Sequence, residues 1–286
     1  MRFDFSFGAA VAVTLAGLLS GGTPALAQVV SLAADVVSAA PQEHGPQQQE
    51  YVNGAPQVPS EDWTIAAGGR IYDNWWEALD RDAPEETNPA WPTAVNANRS
   101  GSGTWRCKEC HGWDYQGADG MYGKDAPGKK FYTGIKGLLG ASGKPVEEIA
   151  LTLRDANHPY TVEMISDEEM LRAATFVSKG LVDMKQFLDY ETRTVKASAG
   201  DLNRGRSIFQ TTCAACHGFD GRALDWGADG DHNYIGTEAR ALPDEVYNKI
   251  SNTHPGAAMI NLRAFTPEDR VNVMAYIATL PAGIDD

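Results

Sequence analysis

Two segments of the chain space their apolar residues as an amphipathic helix does, and each begins with a start signal. The later segment begins at Thr266, followed by proline and two acidic residues, and the earlier one begins at Ser166, followed by three acidic residues. The apolar positions are Val271, Met274, Ala275 and Ala278 in the later segment, and Met170, Ala173, Ala174 and Val177 in the earlier one. A capping hydroxyl, acids in the first turn and proline at the first position favour a helix start. Strand signals are weak, so the pattern predicts an all-α protein.

An apolar run near the N-terminus has the features of an export signal. It spans residues 7–19, follows Arg2, and precedes an A-x-A cleavage site at residues 25–27. An uncleaved membrane anchor is the alternative, but the short run favours removal of a signal peptide, residues 1–27. Residues 28–61 are rich in Ala, Gln, Pro and Val and are typical of a flexible tether. No later apolar run is long enough to span a membrane, so we expect a periplasmic mature chain without a transmembrane helix.

The rest of the chain contains two copies of one pattern in the same order. The matched segments are residues 68–72 with 205–209, 132–134 with 234–236, 145–149 with 243–246, and 157–159 with 253–255. They predict two tandem helical domains at residues 62–191 and 200–286, joined by a linker at residues 192–199. The first copy carries an insertion at residues 78–105, rich in Pro, Asn, Trp and Gly.

All four cysteines fall into two Cys-x-x-Cys pairs, and a histidine directly follows each pair. The residues are Cys107, Cys110 and His111 in the first copy, and Cys213, Cys216 and His217 in the second. A disulfide framework would leave both histidines unexplained, and a zinc site does not require histidine directly after the second cysteine. Covalent haem uses every residue, because two thiols form thioethers to the vinyl groups and the imidazole ligates iron. The motifs therefore predict two covalently bound haem c groups, with His111 and His217 as proximal ligands.

Each copy resembles a class I cytochrome c domain, and the resemblance covers about residues 62–281. It rests on the two Cys-x-x-Cys-His motifs, the helical element before each of them, the His-Pro-Gly-Ala-Ala-Met run ending at Met259, and the closing helix. The resemblance implies two tandem helical domains wrapped around haem, in which an N-terminal and a C-terminal helix cross. It also implies electron transfer rather than catalysis.

The distal ligand of the second iron is predicted to be Met259, which lies 42 residues after His217 and 7 before Thr266. The resembling family places its ligand methionine on such a loop. The first iron has several candidates. Alignment of the two His-Pro pairs favours Met164, whereas alignment of the closing helices favours His158. Met184, or an open site, is a further alternative.

The charge of the chain bears on its partners. The formal net charge is −14, which disfavours nucleic acid and fits a soluble protein with basic redox partners. Four lysines form a local basic loop, for which we weigh a solvated surface against a docking patch or a propionate contact. They are Lys124, Lys129, Lys130 and Lys136.

We expect an electron carrier, or a cytochrome subunit, between redox protein partners of a respiratory or sulfur-oxidising chain, such as a membrane or periplasmic oxidoreductase. The alternative is a dihaem enzyme, a peroxidase or a thiosulfate-dehydrogenase-like oxidase, with an open or labile distal site at the first haem. Thiosulfate dehydrogenases use a cysteine ligand, which this chain does not supply because both motifs consume all four cysteines. A haem sensor is a third possibility.

Overall fold

The computed structural model describes residues 55–95, 99–123, 132–228 and 231–283. The predicted signal peptide, most of the predicted tether, and Lys124, Lys129 and Lys130 of the basic loop lie outside the described residues. All described residues belong to one compact unit, residues 46–286. Among them, no helix combines the length and apolar character needed to cross a membrane.

Helices dominate the described chain. They are α1 (Glu61–Ala78), α2 (Cys107–His111), α3 (Val146–Thr152), α4 (Asp167–Thr175), α5 (Leu202–Ile208), α6 (Ala214–His217), α7 (Ile235–Ala241), α8 (Pro243–Asn252) and α9 (Pro267–Ile277). Short 3-10 turns occur at Gly101–Trp105, Leu139–Ala141 and Met184–Gln186, and π-helical turns extend α4 at Phe176–Gly180 and α5 at Phe209–Cys213. Two short antiparallel strands, β1 (Leu188–Asp189) and β2 (Thr194–Val195), pair Leu188 with Val195. Strand β2 falls within the predicted linker.

Both predicted helix starts are confirmed. The Ser166 hydroxyl accepts a hydrogen bond from the Glu169 amide at 3.4 Å, and the Glu169 carboxylate accepts one from the Ser166 amide at 2.7 Å. This reciprocal pair is a capping box. The Thr266 hydroxyl accepts from the Asp269 amide at 3.1 Å, and proline follows at the first position of α9. Each cap satisfies amide groups that the first turn of a helix leaves without a partner.

Two of the helix crossings in the structure involve equivalent positions in the two copies of the repeat. Helix α1 packs against α4, and α5 packs against α9. At the first crossing, a Cβ built on Gly68 would overlap the carbonyl oxygen of Arg172, and at the second, one on Gly205 would overlap that of Asn272. Gly68 and Gly205 hold the same position in the repeated pattern, and Arg172 and Asn272 each lie six residues after their helix cap. Both crossings therefore bring the backbones together at a glycine.

Among the described residues, the buried apolar side chains form three clusters, and the largest spans both halves of the chain. It contains Phe209, Val271 and Met274, together with Met121 and Met184 from the first half. A second cluster surrounds Trp75 and Ile71, and a third surrounds Tyr72, Tyr115 and Phe176.

Polar contacts also join the halves. Lys249 of α8 pairs with Asp73 of α1, and the Asn248 side-chain amide donates to the Tyr115 hydroxyl at 2.9 Å. The Arg263 guanidinium donates to the Gly180 carbonyl at 3.1 Å. These contacts are buried or nearly so, and they hold α8 against the half that carries α2.

Candidate haem-binding sites

Each Cys-x-x-Cys-His motif ends a short helical turn. Helix α2 runs from Cys107 to His111, and α6 ends at His217, one residue after Cys216. The glycine after each histidine has a positive φ, with φ 79° and ψ 160° at Gly112, and φ 80° and ψ 156° at Gly218. Glycine adopts this conformation without the steric cost that a Cβ would add. One helical turn thus carries two thiols and an imidazole in both motifs, and the chain leaves both in the same way.

All four cysteines lie in the described part of the chain, where no disulfide joins them. Burial raises the pKa of Cys107 to about 11, that of Cys110 to about 12 and that of Cys213 to about 11. Redox-active and metal-binding thiols have a lowered pKa, because the thiolate is the reactive form. The raised pKa values of Cys107, Cys110 and Cys213 do not favour an exchanging thiol pair.

The His111 ring is oriented by a backbone group far along the chain. Its Nδ1 lies 2.9 Å from the carbonyl oxygen of Lys136. Burial lowers the pKa of His111 to about 4, so the ring is neutral at physiological pH. A neutral imidazole whose Nδ1 donates to a carbonyl presents Nε2 as its free electron pair, which is the form that ligates a metal.

His217 has a different environment. Its side chain is buried, and burial lowers its pKa, so this ring also favours the neutral form. Within the described part of the chain its Nδ1 has no hydrogen-bond partner. The Trp226 ring lies beside it, with ring centres 6.1 Å apart. The histidines of the two motifs are therefore held differently.

The predicted insertion packs against the first motif. Arg99 pairs with the fully buried Glu109 at 2.9 Å, and Lys108 pairs with the same carboxylate at 2.5 Å. Trp105 packs edge to face on Tyr160, whose hydroxyl donates to the Trp105 carbonyl at 2.9 Å and lies 3.7 Å from the Cys107 sulfur. The insertion thus forms one wall around α2.

The predicted distal residues lie in different settings. Met259 is half-buried on the loop between α8 and α9. Met164 packs against the cluster of Ile71 and Trp75, and Met184 is fully buried in the largest cluster. The structure brings His158 next to His111, with ring centres 6.3 Å apart.

Several residues that support the first site were not predicted from the sequence. The Thr152 carbonyl and the Asp155 carboxylate each lie 3.1 Å from Nδ1 of His158. The Asp155 carboxylate also accepts a hydrogen bond from the Asn157 amide at 2.8 Å. Aspartate favours such a local turn, because its side chain can bond to the backbone two residues later. In the sequence, Lys136 stands out only for its charge. In the structure, its carbonyl oxygen orients His111.

The residues at both motifs fit haem c. Among the described residues, no three His, Cys, Asp or Glu side chains form a cluster able to hold a metal ion. A haem iron draws four ligands from its porphyrin and takes its axial ligands from the protein. A neutral histidine beside two thiols would provide one ligand to the iron and both thioether positions.

Comparison with known proteins supports this chemistry for the second motif. Residues 200–277 match the protein family described as cytochrome c oxidase, cbb3-type, subunit III. The matched segment contains Cys213, Cys216, His217 and Met259, and covers roughly a quarter of the chain. No curated protein matches the chain. Residues 200–277 thus form a cytochrome c domain, which implies a covalently bound haem c and electron transfer by a haem protein.

Proposed function

We propose that this protein is a periplasmic dihaem cytochrome c that transfers electrons between redox partners of a respiratory or sulfur-oxidising chain. The observation that carries the proposal is the correspondence of the first motif to the one inside the cytochrome c domain. A glycine with positive φ follows both α2 and α6. The helix crossings of both halves also meet at equivalent glycines. A second haem at Cys107, Cys110 and His111 follows from that correspondence.

The chain's own residues have separate tasks in this function. Bound haem supplies the one-electron chemistry at its iron. Cys107, Cys110, Cys213 and Cys216 would anchor the two groups, and His111 and His217 would bind the irons. The Lys136 carbonyl fixes the ring and tautomer of His111, which raises its basicity as a ligand. The buried contacts between α1 and α8 hold the motifs in a fixed relation, so electron transfer between them requires no rearrangement of the fold.

The number of haems tests the proposal. Intact-mass measurement of the protein purified from the periplasm should show two covalent haems and the loss of residues 1–27. Replacement of Cys107 and Cys110 by alanine should remove one haem, replacement of Cys213 and Cys216 should remove the other, and each variant should keep the remaining spectrum. A native mass with one haem, or with bound zinc in place of haem, would reject the dihaem assignment.

A second measurement separates a carrier from an enzyme. A carrier with both irons six-coordinate should show the same reduced spectrum with and without carbon monoxide, and should exchange electrons rapidly with a small redox protein. Peroxide turnover, or thiosulfate oxidation, together with carbon monoxide binding to the native protein would overturn the carrier assignment in favour of a dihaem enzyme.

A further inference from the structure

Two histidine rings of the first half lie close together. His111 ends α2, whereas His158 lies on the loop between α3 and α4, 47 residues later in the chain. Their ring centres are 6.3 Å apart, and their planes differ by 18°. Both rings are half-buried and nearly parallel although they lie far apart in the chain, so the pair calls for a physical explanation.

Each ring has its Nδ1 engaged by an oxygen. Nδ1 of His111 lies 2.9 Å from the Lys136 carbonyl. Nδ1 of His158 lies 3.1 Å from the Thr152 carbonyl and 3.1 Å from an Asp155 carboxylate oxygen. Metal-ligating histidines commonly donate their second N–H to a carbonyl or carboxylate in this way. Nε2 is therefore the nitrogen that remains available on both rings.

The spacing matches two imidazoles on one metal. A bond between a metal and an imidazole nitrogen is about 2.0–2.1 Å long, so two such bonds in line place the ring centres roughly 6 Å apart. The observed separation of 6.3 Å agrees with that value.

The loop that carries His158 is anchored to the first motif. Arg154 donates to the Tyr160 carbonyl at 3.0 Å, to the Thr161 carbonyl at 2.9 Å and to the Ile165 carbonyl at 2.6 Å. The Tyr160 hydroxyl, two residues after His158, lies 3.7 Å from the Cys107 sulfur. A residue two positions after His158 thus contacts the thiol that anchors the first haem.

We propose that His158 is the distal ligand of the first iron, opposite His111, so that the first haem is held by two histidines. This assignment rests on the proposed haem at Cys107 and Cys110. The side chain of Met164 packs against the apolar cluster of Ile71 and Trp75 instead. Because imidazole lowers the potential of haem iron and thioether raises it, the first haem has a lower potential than a second haem ligated by Met259. Electrons then pass favourably from the first haem to the second.

The sequence counterpart of His158 behaves differently. His254 is exposed, and its Nδ1 lies 2.8 Å from the carbonyl oxygen of the adjacent Pro255. His254 occupies the same position in the repeat as His158. The described ring beside His217, however, is that of Trp226 and not that of His254. His254 therefore provides a matched control for His158.

The test uses carbon monoxide binding to the reduced full-length dihaem protein. His158→Ala should create one carbon monoxide site per chain, and added imidazole should abolish that binding and restore the native spectrum. The rescue by imidazole distinguishes a lost ligand from a merely disturbed loop. His254→Ala and Met164→Leu should bind no carbon monoxide. If Met164→Leu opens the first iron and His158→Ala does not, the assignment is overturned.

A measurement on the unmodified protein covers the case in which His158→Ala does not fold. Near-infrared magnetic circular dichroism of the oxidised protein distinguishes bis-histidine from histidine–methionine haem, and we expect one haem of each kind. Two histidine–methionine haems would overturn the assignment while leaving the dihaem cytochrome intact. Mass spectrometry separates the two failures, because absence of haem from Cys107 and Cys110 would reject the proposed function itself.

Discussion

Met259 is the proposed distal ligand of the second haem. It lies half-buried on the loop before α9, inside the segment that matches the cytochrome c family. If its thioether ligates the iron, Met259→Ala should leave an open position that binds carbon monoxide, and should lower the potential. Met259→His should keep a six-coordinate iron at lower potential, because imidazole is the stronger donor. Spectra of the reduced protein and potentiometric titration measure both effects.

Met274 offers a control of the same residue type. It is fully buried on α9 within the largest apolar cluster. Met274→Leu nearly conserves volume, so it should cost less than about 1.5 kcal/mol of stability. It should leave carbon monoxide binding unchanged. A Met259→Ala variant with native spectra and potentials would show that Met259 is a packing residue.

Single residues could be predicted from the sequence where a short motif specifies their chemistry. The six residues of the two Cys-x-x-Cys-His motifs are of this kind. The groups that orient His111 and His158 were not predictable from the sequence. They include backbone oxygens of Lys136 and Thr152, and any residue type supplies a carbonyl. Spacing alone also leaves His158 and Met164 as alternatives. Alignment of the His-Pro pairs favours Met164, whereas alignment of the closing helices favours His158.

At the scale of elements, the two helix crossings depend on glycine at the point of contact. Gly205→Ala should destabilise the protein by about 1–3 kcal/mol, because a Cβ there overlaps the Asn272 backbone and the helices must separate. This cost opposes the gain of about 1 kcal/mol that alanine brings to a helix interior. Gly68→Ala should behave in the same way against Arg172. Denaturant unfolding of the haem-loaded protein measures the loss.

Gly140 provides the matched control for these glycines. It lies in the exposed 3-10 turn Leu139–Ala141, and a Cβ built there meets nothing within 4 Å. Gly140→Ala should therefore be neutral or stabilise the protein by up to about 1 kcal/mol, through the lower entropy of the unfolded chain. Equal stability of Gly205→Ala and Gly140→Ala would show that the crossing tolerates a wider separation.

The elements themselves were partly predictable. Both helix starts at Ser166 and Thr266 follow from local capping chemistry, and the structure confirms them. The two-residue strands were not predicted, because two residues are too few for an alternating pattern. The kink of α1 at Asn74 (φ −154°, ψ 94°) also has no sequence signal comparable to proline. It occurs where the flanking Asp73 and Trp75 are buried, so tertiary packing overrides local preference.

At the scale of the whole molecule, a buried ion cluster joins the two halves near the first motif. Asp73 pairs with Lys249 of α8 and with Arg106, the residue before Cys107, at 2.5 Å. Burial alone would raise the pKa of Asp73, but Lys249 and Arg106 lower it below its usual value. The repeated pattern predicts two successive domains but not this contact, because Asp73 and Lys249 are 176 residues apart.

The overall charge makes the rate of electron transfer sensitive to salt. The chain has a formal net charge of −14, and residues 201–286 contain twelve Asp or Glu against seven Lys or Arg. An acidic face near the second haem would attract a basic partner and increase the rate of encounter. In the alternative arrangement, the basic loop with Lys129 and Lys130, which lies outside the described residues, would dock an acidic partner.

Both arrangements predict that bimolecular electron transfer slows as ionic strength rises, because charges more than about 8–10 Å apart are largely screened at 0.1–0.15 M salt. Stopped-flow mixing with a basic and with an acidic redox protein, at increasing salt, measures this dependence. Neutralising Lys129 and Lys130 together should slow only the reaction with the acidic protein, and only if that loop docks it. Neutralising Lys144 and Lys179 together, two exposed lysines elsewhere on the chain, controls for the same change of two units in net charge. Rates that stay constant from low to high salt with both proteins would indicate that apolar contact, rather than charge, brings the partners together.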